Sequence, residues 1–414
     1  MAFADKYIET QHFLGQAISV SQYPDIIVTI PAVNEPGILS TLNSLREAVG
    51  EESILVIVVV NYSVRATAAS KEYNEYIYRL LMDYTTQINR DKFQVVPLIF
   101  RDMPRKHAGA GMARKVAMDS ALEVYNAVDN PNGIITSLDA DCLVDQYYYS
   151  SIIDCFKLHP DTHSLTLHFY HNRNGISREL NKAISEYELY LRYYVLALRY
   201  VGFPYAFHVI GSCFAVKAGA YVKHGGMNKK HAAEDFYFLH KIFPHTNNIT
   251  NYKTCVSPSS RISTRVPFGT GPAVKSIVDK GESYVVYAFE IFHELKRLFD
   301  NLETLYTQNA PLESLAGKAL QAFFDEYDYP SKLDDALQNS SSLAMFVKRF
   351  MQHFNAFQIV KFLNFAHERE FYTKGEVRME FRNYLLAVNE QAQSNDLNEL
   401  LDFALILEKR ILSI

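Results

Sequence analysis

At 414 residues, with 48% hydrophobic and 21% charged side chains, the chain is long enough for two domains and too apolar for broad disorder. A net charge of -5 lacks the basic surplus of a nucleic-acid binder. The four cysteines, Cys142, Cys155, Cys213 and Cys255, make no C-x-x-C pair, which argues against a disulfide framework or a zinc site.

Residues 25–30 (D-I-I-V-T-I) read as a buried strand ending at Pro31, and 36–49 carry helical spacing up to Gly50. Residues 54–60 are an uninterrupted β-branched run, as a strand covered on both faces requires. A Tyr-rich helix over 70–88, a strand over 93–100, a helix over 111–127 and a strand over 134–141 follow. This alternation predicts a parallel, helix-covered sheet. Next come a helix over 147–158, a strand over 164–170, a long aromatic helix over 177–201, a strand over 208–217 and a helix over 232–243. Residues 255–272 are rich in Ser, Pro and Gly and read as a loop. From about 275 the pattern is amphipathic helix alone, over 284–305, 315–327, 343–369, 376–391 and 397–411. The expectation is a sheet domain over 1–274 and a helical domain or cap over 275–414. The start of the chain, with Asp5, Lys6 and Glu9, shows no signal peptide, and no apolar run reaches membrane-spanning length. A cytoplasmic protein is expected, at most peripheral to the inner face of a membrane.

Candidate site residues sit where these elements end. The run I-I-T-S-L-D-A-D-C (134–142) brings Asp139, Ala140 and Asp141 to the carboxyl end of a central strand, where open α/β sheets bind ligands. Two carboxylates at this spacing suit a hard cation, Mn2+ or Mg2+, bridging a diphosphate. The first strand ends I-P-A-V-N-E, placing Pro31, Ala32, Asn34 and Glu35 beside a helix start. The second ends V-V-N-Y-S, offering Asn61 and Ser63 to a base or ribose, although Asn-Tyr-Ser is also ordinary turn chemistry. Between 101 and 115, Arg101, Arg105, Lys106, Arg114 and Lys115 surround a Gly-rich helix entry, a diphosphate environment that fits neither G-x-G-x-x-G nor a P-loop. Finally, A-A-E-D-F sets Glu234 and Asp235 at a helix start, whose dipole keeps a carboxylate ionised, as a general base must be.

In their order and spacing, I-P-A-V-N-E, V-V-N-Y-S, A-G-A-G-M-A-R, S-L-D-A-D, G-S-C-F-A-V-K and A-A-E-D-F resemble family 2 of the inverting glycosyltransferases, over roughly residues 24–243. The resemblance implies a GT-A-like (Rossmann-like) fold, a nucleoside-diphosphate-sugar donor and a glycan, lipid-linked or small-molecule acceptor. It puts Asp139 on the ribose, Asp141 on the cation, Asp235 as base with Glu234 beside it, and Arg114 among the donor contacts. Gly211 and Ser212 would lie beside the transferred sugar, where a small residue lets substrate approach the backbone. Three positions depart from the family pattern. Asn61-Tyr62 stands for its usual Asp pair, Lys115 for its usual Asn, and the Q-x-x-R-W signature of processive synthases cannot occur in a chain without Trp. A non-processive hexosyl or related transferase is expected. The R-V-P-F-G-T-G loop (265–271), with Gly269 and Gly271 as pivots and Arg261 or Arg265 on phosphate, reads equally as a lid and as a surface connection. His168, His171 and His231 are assigned no metal. Two rivals remain, a nucleotidyltransferase or phosphatase using L-D-A-D, and a catalytically inactive GT-A-like protein that binds a nucleotide sugar or a partner.

Overall fold

In the computed structural model, β-branched runs become strands and 3.6-residue apolar spacings become helices. A short α1 (Asp5–Thr10) precedes β1 (Ile26–Ala32), α2 (Ile38–Glu47), β2 (Ile54–Ser63), α3 (Ala68–Ile88), β3 (Phe93–Met103), α4 (Ala110–Asn126) and β4 (Ile134–Ser137). A two-residue β5 (Leu143–Val144), α5 (Tyr148–Leu158), β6 (Ser164–Phe169), α6 (Arg178–Val201), β7 (Phe214–Lys217), α7 (Ala218–Lys223), α8 (Glu234–Thr246) and β8 (Ile249–Ser257) follow. The structure describes residues 1–11, 18–20, 22–90, 92–105, 108–228, 233–263, 269–308 and 311–412.

One eight-stranded sheet runs β3-β2-β1-β4-β7-β6-β8-β5. β1 pairs in parallel with β2, from Ile26 opposite Ile54 to Ala32 opposite Val60, and β2 pairs in parallel with β3. On its other side β1 pairs in parallel with β4, from Ile26 opposite Ile134 to Thr29 opposite Ser137. Successive strands are therefore laid down in one direction through β3, and β4 then starts on the opposite side of β1. Such a reversal opens a crevice at the strands' carboxyl ends, because the two flanking connections diverge there. β7 runs antiparallel to β4 with Phe214 opposite Ser137, so the residues entering β7 arrive at that same crevice. The expected mostly parallel, helix-covered α/β sheet is what the structure contains.

Some boundaries differ from the expectation. The strand read over 134–141 ends at Ser137, and Asp139 and Asp141 lie in a turn closed by the Cys142 amide donating to the Asp139 carbonyl (3.1 Å). The strand read over 208–217 holds only its last four residues. Residues 249–257, not read as a strand, form β8. It pairs in parallel with β6, where its Thr250 hydroxyl and Thr166 meet at 2.9 Å.

By packing, the chain forms two compact units. One holds Met1–Gly175 and Phe207–Pro272 with the last three residues, and the other Ile176–Ala206 and Ala273–Ile411. Thus α6 belongs with the C-terminal helices although it precedes β7 in sequence. This second unit contains α6, α9 (Thr270–Lys280, which begins in the first unit), β9 (Val285–Val286), α10 (Glu290–Asp300), α11 (Leu302–Gln308), α12 (Lys318–Glu326), α13 (Tyr329–Gln338), α14 (Leu343–His353), α15 (Ala356–Glu368), β10 (Gly375–Glu376), α16 (Val377–Ala387) and α17 (Leu397–Leu412). The helices read over 284–305 and 343–369 are each broken in two, the latter where Asn355 caps α15 by accepting from the amides of Phe357 and Gln358. Leu196, Phe292, Leu295, Phe323, Phe362 and Leu401 share its core. Within that core Arg192 is fully buried and donates to Glu188 and Glu408, both at 2.8 Å. Among the described residues no helix is long and apolar enough to cross a membrane.

Candidate active site

The acids that follow β1 and β4 and open α8 are held together by two arginines. Arg114, on α4, has a side chain only 4% exposed. It donates from Nε to Ser137 Oγ (3.0 Å), from Nη2 to Asp139 Oδ1 (2.6 Å) and from Nη1 to Glu234 Oε1. Glu234 is buried as well, whereas the Asp139 side chain is 41% exposed, open to a ligand. Arg261, four residues beyond β8, donates from Nη2 both to Glu35 Oε2 and to Asp141 Oδ2, the latter at 2.9 Å. Glu35 is 1% exposed and also accepts the Gly37 amide (3.2 Å). Burial acts against the Arg261 charge, but Glu35 and Asp141 outweigh it and raise the guanidinium pKa.

Asp235 joins the same cluster through Gly211. A Cβ on Gly211 would stand 2.9 Å from Asp235 Oδ2, 2.6 Å from Arg114 Nη2 and 2.9 Å from its Cζ. The absent side chain is what lets the carboxylate and the guanidinium converge there. Burial raises the Asp235 pKa; the Arg114 charge opposes this, and the Asp139 charge adds to it. Asp235 Oδ1 accepts the amide of Phe236 (2.7 Å) in the first turn of α8. The residue before the acidic pair, Ala233, is held at φ 58°, and Asn34, before Glu35, at φ 49°. Asn tolerates the left-handed region through local hydrogen bonding, whereas at Ala233 it costs about 1–2 kcal/mol.

Asn61 is fully buried at the end of β2; its Nδ2 donates to the Gly109 carbonyl (3.1 Å), which orients the amide. Its Oδ1 has no hydrogen-bond partner among the described residues. A buried acceptor without a donor is costly.

The other sequence candidates divide. Pro31 and Ala32 are buried in β1, and the Ala140 carbonyl accepts from Thr41 Oγ1 (3.0 Å), so these three are backbone elements of the crevice. Asn34 is spent on Ser70 (3.0 Å) and Asn74 (2.8 Å). Ser63 Oγ accepts the Arg65 amide (3.2 Å), the turn role open to it in the sequence. Ser212, buried beside Gly211, has its Oγ 3.4 Å from Cys213 Sγ. Of the basic run, Arg101 forks onto Glu75 at 2.7 and 2.8 Å, and Arg105 is exposed. Lys115 is buried against Asp119 (2.8 Å), which also takes the hydroxyls of Tyr7 and Tyr221 and so ties α1 to α4. Arg114 is the member of that run which, among the described residues, enters the crevice. Lys106, His231, Ala232 and Arg265 lie outside the described residues. His168 packs on Tyr252 (5.3 Å) and His171 on Phe169 (5.8 Å).

Missing from the sequence reading are Ser137 as a support for Arg114, and the carboxylate partners of Arg261. Neither leaves a local signal, because each pairing joins segments far apart in the chain.

No three His, Cys, Asp or Glu side chains gather closely enough to hold a metal ion by themselves among the described residues. The crevice does supply hard oxygen ligands, with five acids around two arginines. Their carboxylate oxygens are the donor type that a hard divalent cation such as Mn2+ or Mg2+ prefers.

No family model matches the chain, and no curated protein sequence matches it. Among solved structures, TarS 1-349 of S. aureus in complex with UDP-GlcNAc is 13% identical, with 83% of this chain and 91% of that one covered at a TM-score of 0.41. The mannosyltransferase PcManGT of Pyrobaculum calidifontis, in complex with GDP-Man and Mn2+, is 14% identical, covering 84% and 93% at 0.34. Glucosyl-3-phosphoglycerate synthase of Mycobacterium tuberculosis, with Mn2+, UDP-Glc and glycerol 3-phosphate, is 11% identical, covering 69% and 80% at 0.30. All three likenesses are low in identity and in TM-score.

Proposed function

We propose that the chain is a metal-dependent, inverting, non-processive glycosyltransferase that moves a hexosyl or related sugar from a nucleoside-diphosphate sugar to an acceptor hydroxyl. The observation that carries this reading is the pairing of Arg114 with Asp139 and Glu234, beside Asp235, and of Arg261 with Glu35 and Asp141, at the switch point of the sheet. Asn61, at the end of β2, marks the end of the crevice that this reading gives to the base. Asp139, braced by Arg114, takes the ribose hydroxyls, and Glu234 fixes Arg114 from behind. Gly211, having no side chain, lets Arg114 and Asp235 meet where this reading places the sugar. A bound Mn2+ or Mg2+ would supply Lewis-acid stabilisation of the diphosphate leaving group. Asp235 receives the acceptor hydroxyl's proton as that oxygen attacks the anomeric carbon on the face opposite the departing diphosphate, so the configuration inverts. Its raised pKa suits a base more than an unperturbed aspartate would. The acceptor is a glycan, a lipid-linked molecule or a small molecule, and the protein acts in the cytoplasm, free or peripheral to a membrane.

The test is thermal unfolding with UDP-sugars and GDP-sugars, each with and without Mn2+, since a ligand of the native state raises stability. At least one pair should stabilise native protein in an Mn2+-dependent way, and Asp141→Ala should lose that dependence. A native protein indifferent to every pair would remove the donor-site reading. Binding without any transfer or donor hydrolysis would favour an inactive binding protein.

A further inference from the structure

The helical unit holds a cavity of about 780 Å³, the size of a small-molecule site. Its walls come from the start of α6, the start of α16 and the segment entering α17. Two charged side chains of opposite sign line it, each with an atom left unused. Glu186, on α6, is fully buried; its Oε2 accepts the Tyr284 amide (2.8 Å), and its Oε1 has no hydrogen-bond partner among the described residues. Arg378, on α16, reaches Ser283 Oγ from Nη2 (3.4 Å), and its buried Nε has no partner among the described residues either. Ser283 and Tyr284 hold both side chains in one frame, because the Val377 amide, next to Arg378, donates to the Tyr284 carbonyl (2.9 Å). Neither side chain makes an ion pair among the described residues.

We propose that this cavity binds a small zwitterion, an amino acid or a short peptide, with its ammonium on Glu186 and its carboxylate on Arg378. The proposal does not rest on the donor-site reading. A buried carboxylate met only by a neutral amide calls for a counter-charge, and a water molecule supplies a hydrogen bond but no charge. The half-buried guanidinium of Arg378 leaves the opposite need. The Ser283 contact is long for a hydrogen bond, so Nη2 remains available to join Nε as a fork for a carboxylate. The other charges lining the cavity favour neither sign, since exposed Arg178 and Lys182 are matched by exposed Glu179 and Asp396. A simple anion would leave Glu186 unanswered, a simple cation would leave Arg378 unanswered, and a neutral polyol would neutralise neither. A molecule carrying both charges satisfies both side chains at once.

The experiment titrates the full chain by calorimetry with glycine, serine, glutamine and lysine, with the dipeptide glycylserine, and with sucrose as a neutral polyol. At least one zwitterion should bind, and the amino-acid and dipeptide arms tell the two sources apart. The N-acetyl form of that ligand lacks the ammonium, and its carboxamide form lacks the carboxylate. Each should bind about 10-fold or more weakly than the parent, as the loss of one charged hydrogen-bond partner implies. These comparisons use native protein, so the test stands even where a variant folds poorly. In Glu186→Gln, whose amide oxygen can still accept from Tyr284, the parent should lose its advantage over the N-acetyl form and keep it over the carboxamide. Arg378→Met should do the reverse, and Arg378→Lys, which keeps the charge, should retain part of the native affinity. Native protein indifferent to every zwitterion, a preference for sucrose, or derivatives that bind as tightly as the parent would each overturn the proposal. So would folded Gln and Met variants that bind like native protein.

Discussion

Replacing Arg114 with Met removes one charge and keeps most of the side chain's volume. The guanidinium makes three hydrogen bonds, to Ser137, Asp139 and Glu234, and its partners are unequal. Asp139 is 41% exposed, so its loss of a partner is screened by water and contributes at most about 1 kcal/mol. Glu234 is 6% exposed and would be left as a buried, unpaired carboxylate, which costs about 3–5 kcal/mol. The expected destabilisation of Arg114→Met is therefore about 3–5 kcal/mol, carried by Glu234 together with the buried Asp235 that the same charge supports. Adding Glu234→Gln removes the stranded charge and should recover about half or more, giving a coupling of about 2 kcal/mol in a double-mutant cycle. The chain has two compact units, so a single unfolding midpoint would mix them. Native-state hydrogen exchange of α4 and α8 peptides reads the relevant unit directly. Arg114→Met within 1 kcal/mol of native, or no recovery on adding Glu234→Gln, would refute the claim that Arg114 is the counter-ion of a buried acid.

Two further variants test the reacting end of the crevice. In Gly211→Ala the φ angle is not at issue, because Gly211 lies outside the left-handed region; the new Cβ would crowd Arg114 and Asp235 at 2.6–2.9 Å. Stability should fall by about 1–3 kcal/mol from overpacking, and transfer by about 10²-fold from misplacing the two groups, so full activity with an unchanged unfolding profile would dissociate Gly211 from them. For Asp235 the sign runs from a carboxyl whose folded pKa is raised. The ionised form burdens the native state above that pKa, and the burden is relieved as pH falls through it toward the unfolded value. Asp235→Asn should therefore be more stable than native protein at neutral pH, should still bind donor, and should lose orders of magnitude in transfer. It should also lose an acid limb of kcat lying above the ordinary aspartate pKa of about 3.9. Residual turnover with the native pH profile would take the base away from Asp235.

The parallel half of the sheet was legible because its strands are buried on both faces. Ile54–Val60 has no polar residue to interrupt it, and such a run has no alternative home. β8 was not legible for the opposite reason. Its residues, I-T-N-Y-K-T-C-V-S, mix exposed and buried positions irregularly, and its place is set by pairing with β6, which no local pattern announces. The end of β4 was overread by four residues because apolar Leu138 continues the run. Leu138 is indeed buried, but in a turn whose amide donates to the Thr29 carbonyl (3.1 Å). The breaks within 284–305 and 343–369 fall where capping geometry, rather than apolar spacing, decides where a helix stops.

In the crevice the acids could be read and their partners could not. An acid at a strand end or a helix start is marked by its immediate neighbours, as Asp139, Asp141, Glu234 and Asp235 are. Which arginine neutralises it depends on chain segments 120 or 226 positions away, as Arg114 with Glu234 and Arg261 with Glu35 illustrate. The same consideration explains why two members of the basic run lie outside the crevice. Arg101 and Lys115 resemble Arg114 in sequence, yet one forks onto Glu75 and the other is sealed against Asp119, and both are thereby withdrawn from the crevice. Five carboxylates cannot converge at one strand edge unless cations are interleaved among them, since each like-charge contact left unscreened would open the cluster. Among the described residues Arg114 and Arg261 supply that interleaving, the first between Asp139 and Glu234 and the second between Glu35 and Asp141.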